Sequence, residues 1–303
     1  MKNFISKPIF TGSGVALITP FTKNNEIDFP KLKQLLNFHL TNSTDAIIVT
    51  GTTGENATLD DPEHLSVIKY AVNYINGQIP VIAGTGSNDT RHAIYMSKEA
   101  ENLGVDGLLL VTPYYNKTSQ DGLVAHYTAI AKSVPNIPII LYNVPSRTGM
   151  TIEPETYLKL SKIDNIIATK EACGDLKINK KTMELCRDYL DMYSGNDEDI
   201  AAIIELGGIG VISVLANILP HLTHCLARVT YDYDDEFRKR FQQYFIPLIK
   251  ALFSDVSPIP IKEAMNILGM DVGECRLPLV RMSEEKQKAL KLTLNNYLTH
   301  IDL

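Results

Sequence analysis

The sequence lacks any apolar run of about 18 residues, the length a membrane-crossing helix needs, so no helical span is expected. The opening stretch MKNFISKPIFTGSG lacks the apolar core of a secretory signal. Cysteine is scarce: Cys173, Cys186, Cys225 and Cys275 are the four, and none forms a C-x-x-C pair. They read as free thiols of a reducing compartment rather than a disulfide framework. Basic excess is also missing. Twenty-nine Lys and Arg stand against 35 Asp and Glu, a net charge of −6, which argues against a nucleic-acid or anionic-membrane partner. The seven histidines show no ligand spacing, so no metal site is expected. These absences point to a cytoplasmic protein. Its 303 residues, 45% hydrophobic and 21% charged, suffice to bury a core without disulfides or metal.

What is present is a repeated pattern. Eight short apolar runs, GVALIT (14–19), AIIVT (46–50), PVIAG (80–84), GLLLVT (107–112), PIILYN (138–143), IIATK (166–170), MYSG (192–195) and GVISV (210–214), are separated by amphipathic segments. The runs are continuously apolar rather than alternating, as parallel strands covered on both faces are. The segments between them carry helix signals: Asp28 with Pro30, Asp61 with Pro62 and a closing Gly77, a start at Ser119. Eight strand–helix units predict an α/β fold, a (β/α)8 TIM barrel over residues 1–230. Beyond GVISV the pattern is helical only, which predicts a C-terminal helical extension over 231–303. No low-complexity linker separates the two. A doubly wound sheet is the alternative, but GTGSND (84–89) has Asp89 where a dinucleotide loop needs its third glycine. LGGIG (206–210) precedes the eighth strand and reads as a structural turn.

Chemistry in such barrels gathers at the C-terminal ends of the strands. There the sequence places TGTTGE (50–55), TPYYN (112–116), YNVPSRTG (142–149), TKEACGD (169–175) and SGNDED (194–199). Two hydroxyls beside glycines in GTTGE suit a small carboxylate, although a tight turn with a threonine cap needs the same residues. Arg147 can fork onto a carboxylate, and Tyr142 and the YY pair can carry protons; a buried tyrosine with a surface arginine is the bland reading. Lys170 ends a hydrophobic strand. A free lysine amine is neutral in roughly one molecule in a few thousand at pH 7, and an apolar setting raises that fraction and readies the amine for imine formation. A lysine that merely snorkels to solvent is the alternative.

GTTGENATL, TPYYNKTSQDGL, LYNVPSRTGM, KEACGDL and SGNDE…GGIGVISV, in this order and over nearly the whole chain, closely resemble the dihydrodipicolinate synthase family. This is one of the pyruvate-dependent class I aldolases, a group that includes N-acetylneuraminate lyase. The resemblance implies that pyruvate condenses with L-aspartate 4-semialdehyde in lysine (diaminopimelate) biosynthesis, with no metal or organic cofactor. It implies Lys170 as the Schiff-base lysine, Tyr142 as proton shuttle, and Thr53 as the hydroxyl linking Tyr142 to Tyr115 of a neighbouring subunit. Thr52 and Thr53 match carboxylate contacts for pyruvate, Arg147 the carboxylate contact for the semialdehyde, and Gly195 and Ile212 the pocket lining. A homotetramer of two tight dimers is the implied assembly. N-acetylneuraminate lyase activity is the alternative; Arg147 speaks against it, because a sugar aldehyde needs hydroxyl partners rather than a cation.

Lysine-inhibited members of the family carry an allosteric pocket at a subunit interface, and His64, Asn88 and Tyr114 occupy matching positions. Two departures stand out: Asp61 replaces a frequent His, and His92 replaces a Glu that would pair with an ammonium group. Cys173 replaces a small polar residue and is given no catalytic role. Feedback by L-lysine is therefore expected to be weak or absent. Activity measured across millimolar L-lysine should stay near its starting value, and strong inhibition would refute the expectation.

Overall fold

The computed structural model describes residues 8–228 and 235–298. Eight parallel strands close into a barrel in sequence order: β1 (Gly12–Ala16), β2 (Ala46–Val49), β3 (Val81–Gly84), β4 (Gly107–Val111), β5 (Ile139–Asn143), β6 (Ile166–Glu171), β7 (Asp191–Ser194) and β8 (Gly210–Ser213). The helices between them are α1 (Phe29–Thr41), α2 (Asp61–Ile75), α3 (Thr90–Asn102), α4 (Gln120–Ser133), the short α5 (Pro145–Thr148), α6 (Pro154–Leu160), α7 (Leu176–Cys186) and α8 (Ile200–Glu205). After β8 come α9 (Pro220–Arg228), α10 (Asp235–Leu252), α11 (Ile259–Ile267) and α12 (Glu284–Leu298). This is a TIM barrel with a C-terminal helical extension. The expected boundary at 230/231 lies outside the described residues, as does His300. No helix of the described residues is long and apolar enough to cross a membrane.

The continuous apolar character of the strands follows from two buried faces. Ile47, Val49, Leu108, Leu110, Ile139 and Leu141 pack outward against the helices. Ile48, Ile82, Leu109, Ile140, Ala168 and Ile212 fill the barrel interior. Phe10 closes the interior from the N-terminal face. Its ring stacks on Tyr193 at 4.4 Å between centroids, and its carbonyl accepts the Tyr193 hydroxyl at 2.7 Å.

Side-chain caps place the helices. Asp28 accepts from the Lys31 amide at 2.8 Å and Ser119 from the Gly122 amide at 3.1 Å. For α2 the cap is Asp60 rather than Asp61, because Asp60 and Glu63 bond each other's backbone amides in a reciprocal box. The LGGIG segment is the turn from α8 into β8, at the face opposite the strand C-termini. Gly210 is required there, since a side-chain carbon would collide with the Gly12 carbonyl on the adjacent strand.

Above the backbone pairing of Gly12–Val15 with Gly210–Ser213, the β8–β1 seam is bridged by one side chain. The buried Asn217 amide accepts from the Ile18 amide at 3.1 Å and donates to the Ala16 carbonyl at 2.9 Å and the Val214 carbonyl at 3.0 Å. Removing it strands buried backbone groups, each costing about 1–3 kcal/mol. Asn217→Ala should lower unfolding stability by about 3 kcal/mol in urea titrations. A loss under about 1 kcal/mol would show that the seam does not depend on this amide.

Candidate active site

Lys170 reaches the interior because of a register slip. Ile139 pairs with Ile166, but Ile140 pairs with Ala168, so Ile167 is an extra residue in β6. Strict alternation from the outward-facing Ile166 would turn Lys170 outward; the slip turns it inward, beside Tyr142 on β5 and Tyr193 on β7. There it is only 6% exposed, with its amine 4.3 Å above the Tyr142 ring. Burial lowers its pKa to about 7; the Asp197 carboxylate opposes the shift and the Arg147 guanidinium adds to it. About half of the amine is thus neutral at pH 7.

The remaining residues gather unevenly. Burial raises the Tyr142 pKa, against the pull of the Arg147 charge and of a hydrogen bond from Thr52, so the phenol keeps its proton. The resemblance implies Thr53 as the linking hydroxyl, and it is the Thr52 hydroxyl that acts on the Tyr142 phenol and opposes its upward shift. Thr50, left-handed at φ 52°, turns the chain over the barrel mouth at this point, and Thr53 is buried just beyond. Ile212 lies in the interior with Tyr142 and Tyr193. Gly195 sits where a side-chain carbon would press on Ala172 and the Glu171 carbonyl, so the approach of the β7 end to the β6 end demands glycine. Arg147, on the exposed α5, donates to the Ser257 carbonyl at 3.2 Å. Tyr115 is not part of its own chain's cluster: it is 92% exposed and held at φ 69°.

Two buried carboxylates at this rim were not singled out from the sequence. Glu171 faces away from Lys170, into a pocket where it accepts from the Tyr157 hydroxyl and from Asn143 Nδ2 at 3.1 Å. Thr169 donates to the Tyr157 oxygen at 3.0 Å, which completes a polar layer behind β6. Burial pushes Glu171 up to about 7. Asp197 accepts from the Val214 and Leu215 amides at 3.1 and 2.9 Å. The available signal was an acid directly after Lys170 and another after SGN, both beside apolar strand ends.

A family profile, the dihydrodipicolinate synthetase family, matches residues 9–297. The chain belongs to this family. It is 54% identical over 290 residues to 4-hydroxy-tetrahydrodipicolinate synthase of Caldicellulosiruptor saccharolyticus, covering 96% of this chain and 98% of that relative. Dihydrodipicolinate synthase of Aquifex aeolicus superimposes with a TM-score of 0.92 at 43% identity, covering 95% of this chain and 98% of that one. The enzyme of Acinetobacter baumannii, solved in complex with pyruvate, gives a TM-score of 0.92 at 40% identity, with 94% and 98% covered.

Of the residues matched to the effector pocket of the dihydrodipicolinate synthetase family, Asn88 and Tyr114 meet: the Asn88 amide donates to the Tyr114 carbonyl at 3.2 Å. His64 turns onto the Gly84 carbonyl at 2.8 Å, and burial lowers its pKa to about 4. His92 is paired with Asp61 at 2.9 Å, so each departure from the lysine-inhibited pattern is satisfied by the other. No cluster that could hold a metal ion occurs among the described residues.

The Lys170 environment predicts a reactivity profile that depends on no substrate. Only the neutral amine reacts, so arylation of Lys170 by 1-fluoro-2,4-dinitrobenzene should rise with pH, with a midpoint at about 7, and level off above it. A midpoint near 10 would show an unshifted lysine.

Proposed function

We propose that the chain condenses pyruvate with L-aspartate 4-semialdehyde to 4-hydroxy-tetrahydrodipicolinate through an imine at Lys170, a carbon–oxygen lyase with an aldolase-type course. The observation that carries the reading is a buried lysine amine, pKa about 7, stacked over a protonated Tyr142 at a barrel mouth. Pyruvate bound to the Acinetobacter relative supports the keto acid.

Neutral Lys170 Nζ attacks the ketone carbon. Tyr142 supplies the proton that lets the carbinol oxygen leave as water, and an iminium forms. The iminium draws electrons from the adjacent methyl, which loses a proton to give an enamine. The enamine carbon bonds to the aldehyde carbon, whose oxygen takes a proton. The amine of the newly joined product then displaces Lys170 and closes the ring, returning the free lysine. The iminium is the electron sink, so no step requires a cofactor.

Thr52 and Thr53 are assigned the pyruvate carboxylate and the proton path to Tyr142. Gly195 and Ile212 shape the pocket beside the amine. Arg147, a cation at the rim, is assigned the semialdehyde carboxylate. That charge favours an amino-acid aldehyde over the sugar aldehyde of N-acetylneuraminate lyase. Tyr115, displayed to solvent, suits a role in a partner's site, within a homotetramer of two tight dimers.

Borohydride reduction with pyruvate, followed by mass mapping, should place the adduct on Lys170. An unchanged mass, or a tag elsewhere, would overturn the reading. Tyr115→Phe should slow turnover by about tenfold or more without lowering thermal stability, and an unchanged rate would remove Tyr115 from the proton path.

A further inference from the structure

The turn that carries Thr52 and Thr53 ends in a buried ion pair that reaches into the C-terminal extension. Glu55 and Lys262, 207 positions apart, meet at 2.7 Å with side chains 1% and 2% exposed. The second Glu55 oxygen accepts from the Arg276 amide at 2.9 Å. Lys262 donates also to the Glu274 carbonyl at 3.0 Å and lies 4.2 Å over the Phe21 ring. Glu55 holds a left-handed backbone, φ 56° and ψ 36°, that a residue with a side chain rarely adopts. Its amide donates to the Thr52 carbonyl at 3.1 Å, and the Gly54 carbonyl accepts from Thr19 at 2.7 Å. The Arg276 guanidinium continues the clasp onto the Thr58 carbonyl at 2.8 Å and Glu63 at 2.6 Å.

Stability is a poor reason for such a pair. Apolar side chains of the same volume fill a core as well or better, because desolvating two charges offsets most of their attraction. What the pair adds is hydrogen bonding to backbone at both ends, at the Arg276 amide and the Glu274 carbonyl, which ties the turn to the extension at one point. That point is three residues past Thr52, whose carbonyl the Glu55 amide holds at 3.1 Å and whose hydroxyl acts on Tyr142.

Resting on the reading that Lys170 forms an imine with pyruvate, we propose that Glu55 and Lys262 are positioning residues for that step: the extension supplies the lysine that holds the threonine turn in place against Tyr142. The second substrate is handled elsewhere, at Arg147, which the extension reaches separately through the Ser257 carbonyl. Loss of the pair therefore affects the two substrates unequally.

The test is steady-state kinetics of the full-length double variant Glu55→Gln/Lys262→Met, with circular dichroism and subunit mass confirming that it is folded and assembled like wild type. The expected result is a fall in kcat of about tenfold and a rise in KM for pyruvate of about tenfold, with KM for the semialdehyde within about twofold. Should that variant fail to fold, Glu55→Gln alone, which keeps an oxygen for the Arg276 amide, is judged by the same split. Equal shifts for both substrates, or none, in a folded variant would overturn the proposal and leave the pair a structural clasp. Borohydride trapping on the wild-type protein decides the imine reading independently: an adduct on Lys170 with unsplit kinetics removes only the positioning role, whereas no adduct removes the reaction itself.

Discussion

The desolvation of one amine governs how this rim is built. A lysine that retains its charge in an apolar interior is costly, and the chain resolves the cost by letting the proton go rather than by pairing the ammonium with an acid at contact distance. The neighbours are graded accordingly. A tyrosine face lies directly under the nitrogen, a carboxylate is held back by two backbone amides, and a guanidinium stays at the exposed edge. A contact carboxylate would have opposed that loss of the proton, as Glu55 does at Lys262. The one acid adjacent in sequence, Glu171, is turned to the other face of the strand and occupied by Tyr157 and Asn143.

The same barrel contains a second buried lysine, and this one is given a contact acid. Burial lowers the Lys262 pKa as well, but the Glu55 carboxylate opposes the shift, and a carboxylate, a carbonyl and an aromatic face hold the side chain in place. The contrast between the two lysines is one of partners, not of depth, and it separates a group that reacts from a group that holds. It also gives the C-terminal helices a place in the architecture of the rim, since both the threonine turn and the arginine are gripped from that side.

The eight strands and the helical tail were legible because two-sided burial writes a continuous apolar run, and because proline, aspartate, serine and glycine punctuate the helices between. Lys170, Tyr142 and Arg147 were legible as polar residues at the ends of such runs. What was not legible depends on side-chain direction. Thr52 and Thr53 are adjacent and chemically alike, and only the path of the turn selects which one reaches Tyr142. Glu171 and Asp197 look like ordinary charged loop residues until folding buries them. The Glu55–Lys262 pair joins positions 207 residues apart, and no local pattern can announce that. The facing of Lys170 itself would be misjudged by counting alternate residues along β6.

That miscount points to how the barrel tolerates change. The extra residue at Ile167 sits low in β6, near the floor closed by Phe10, and the strand is back in step by Ala168. An added length is absorbed below, and the upper half of the strand is presented as though nothing had been inserted. A length difference absorbed at this depth leaves the facing of the reactive nitrogen unaltered.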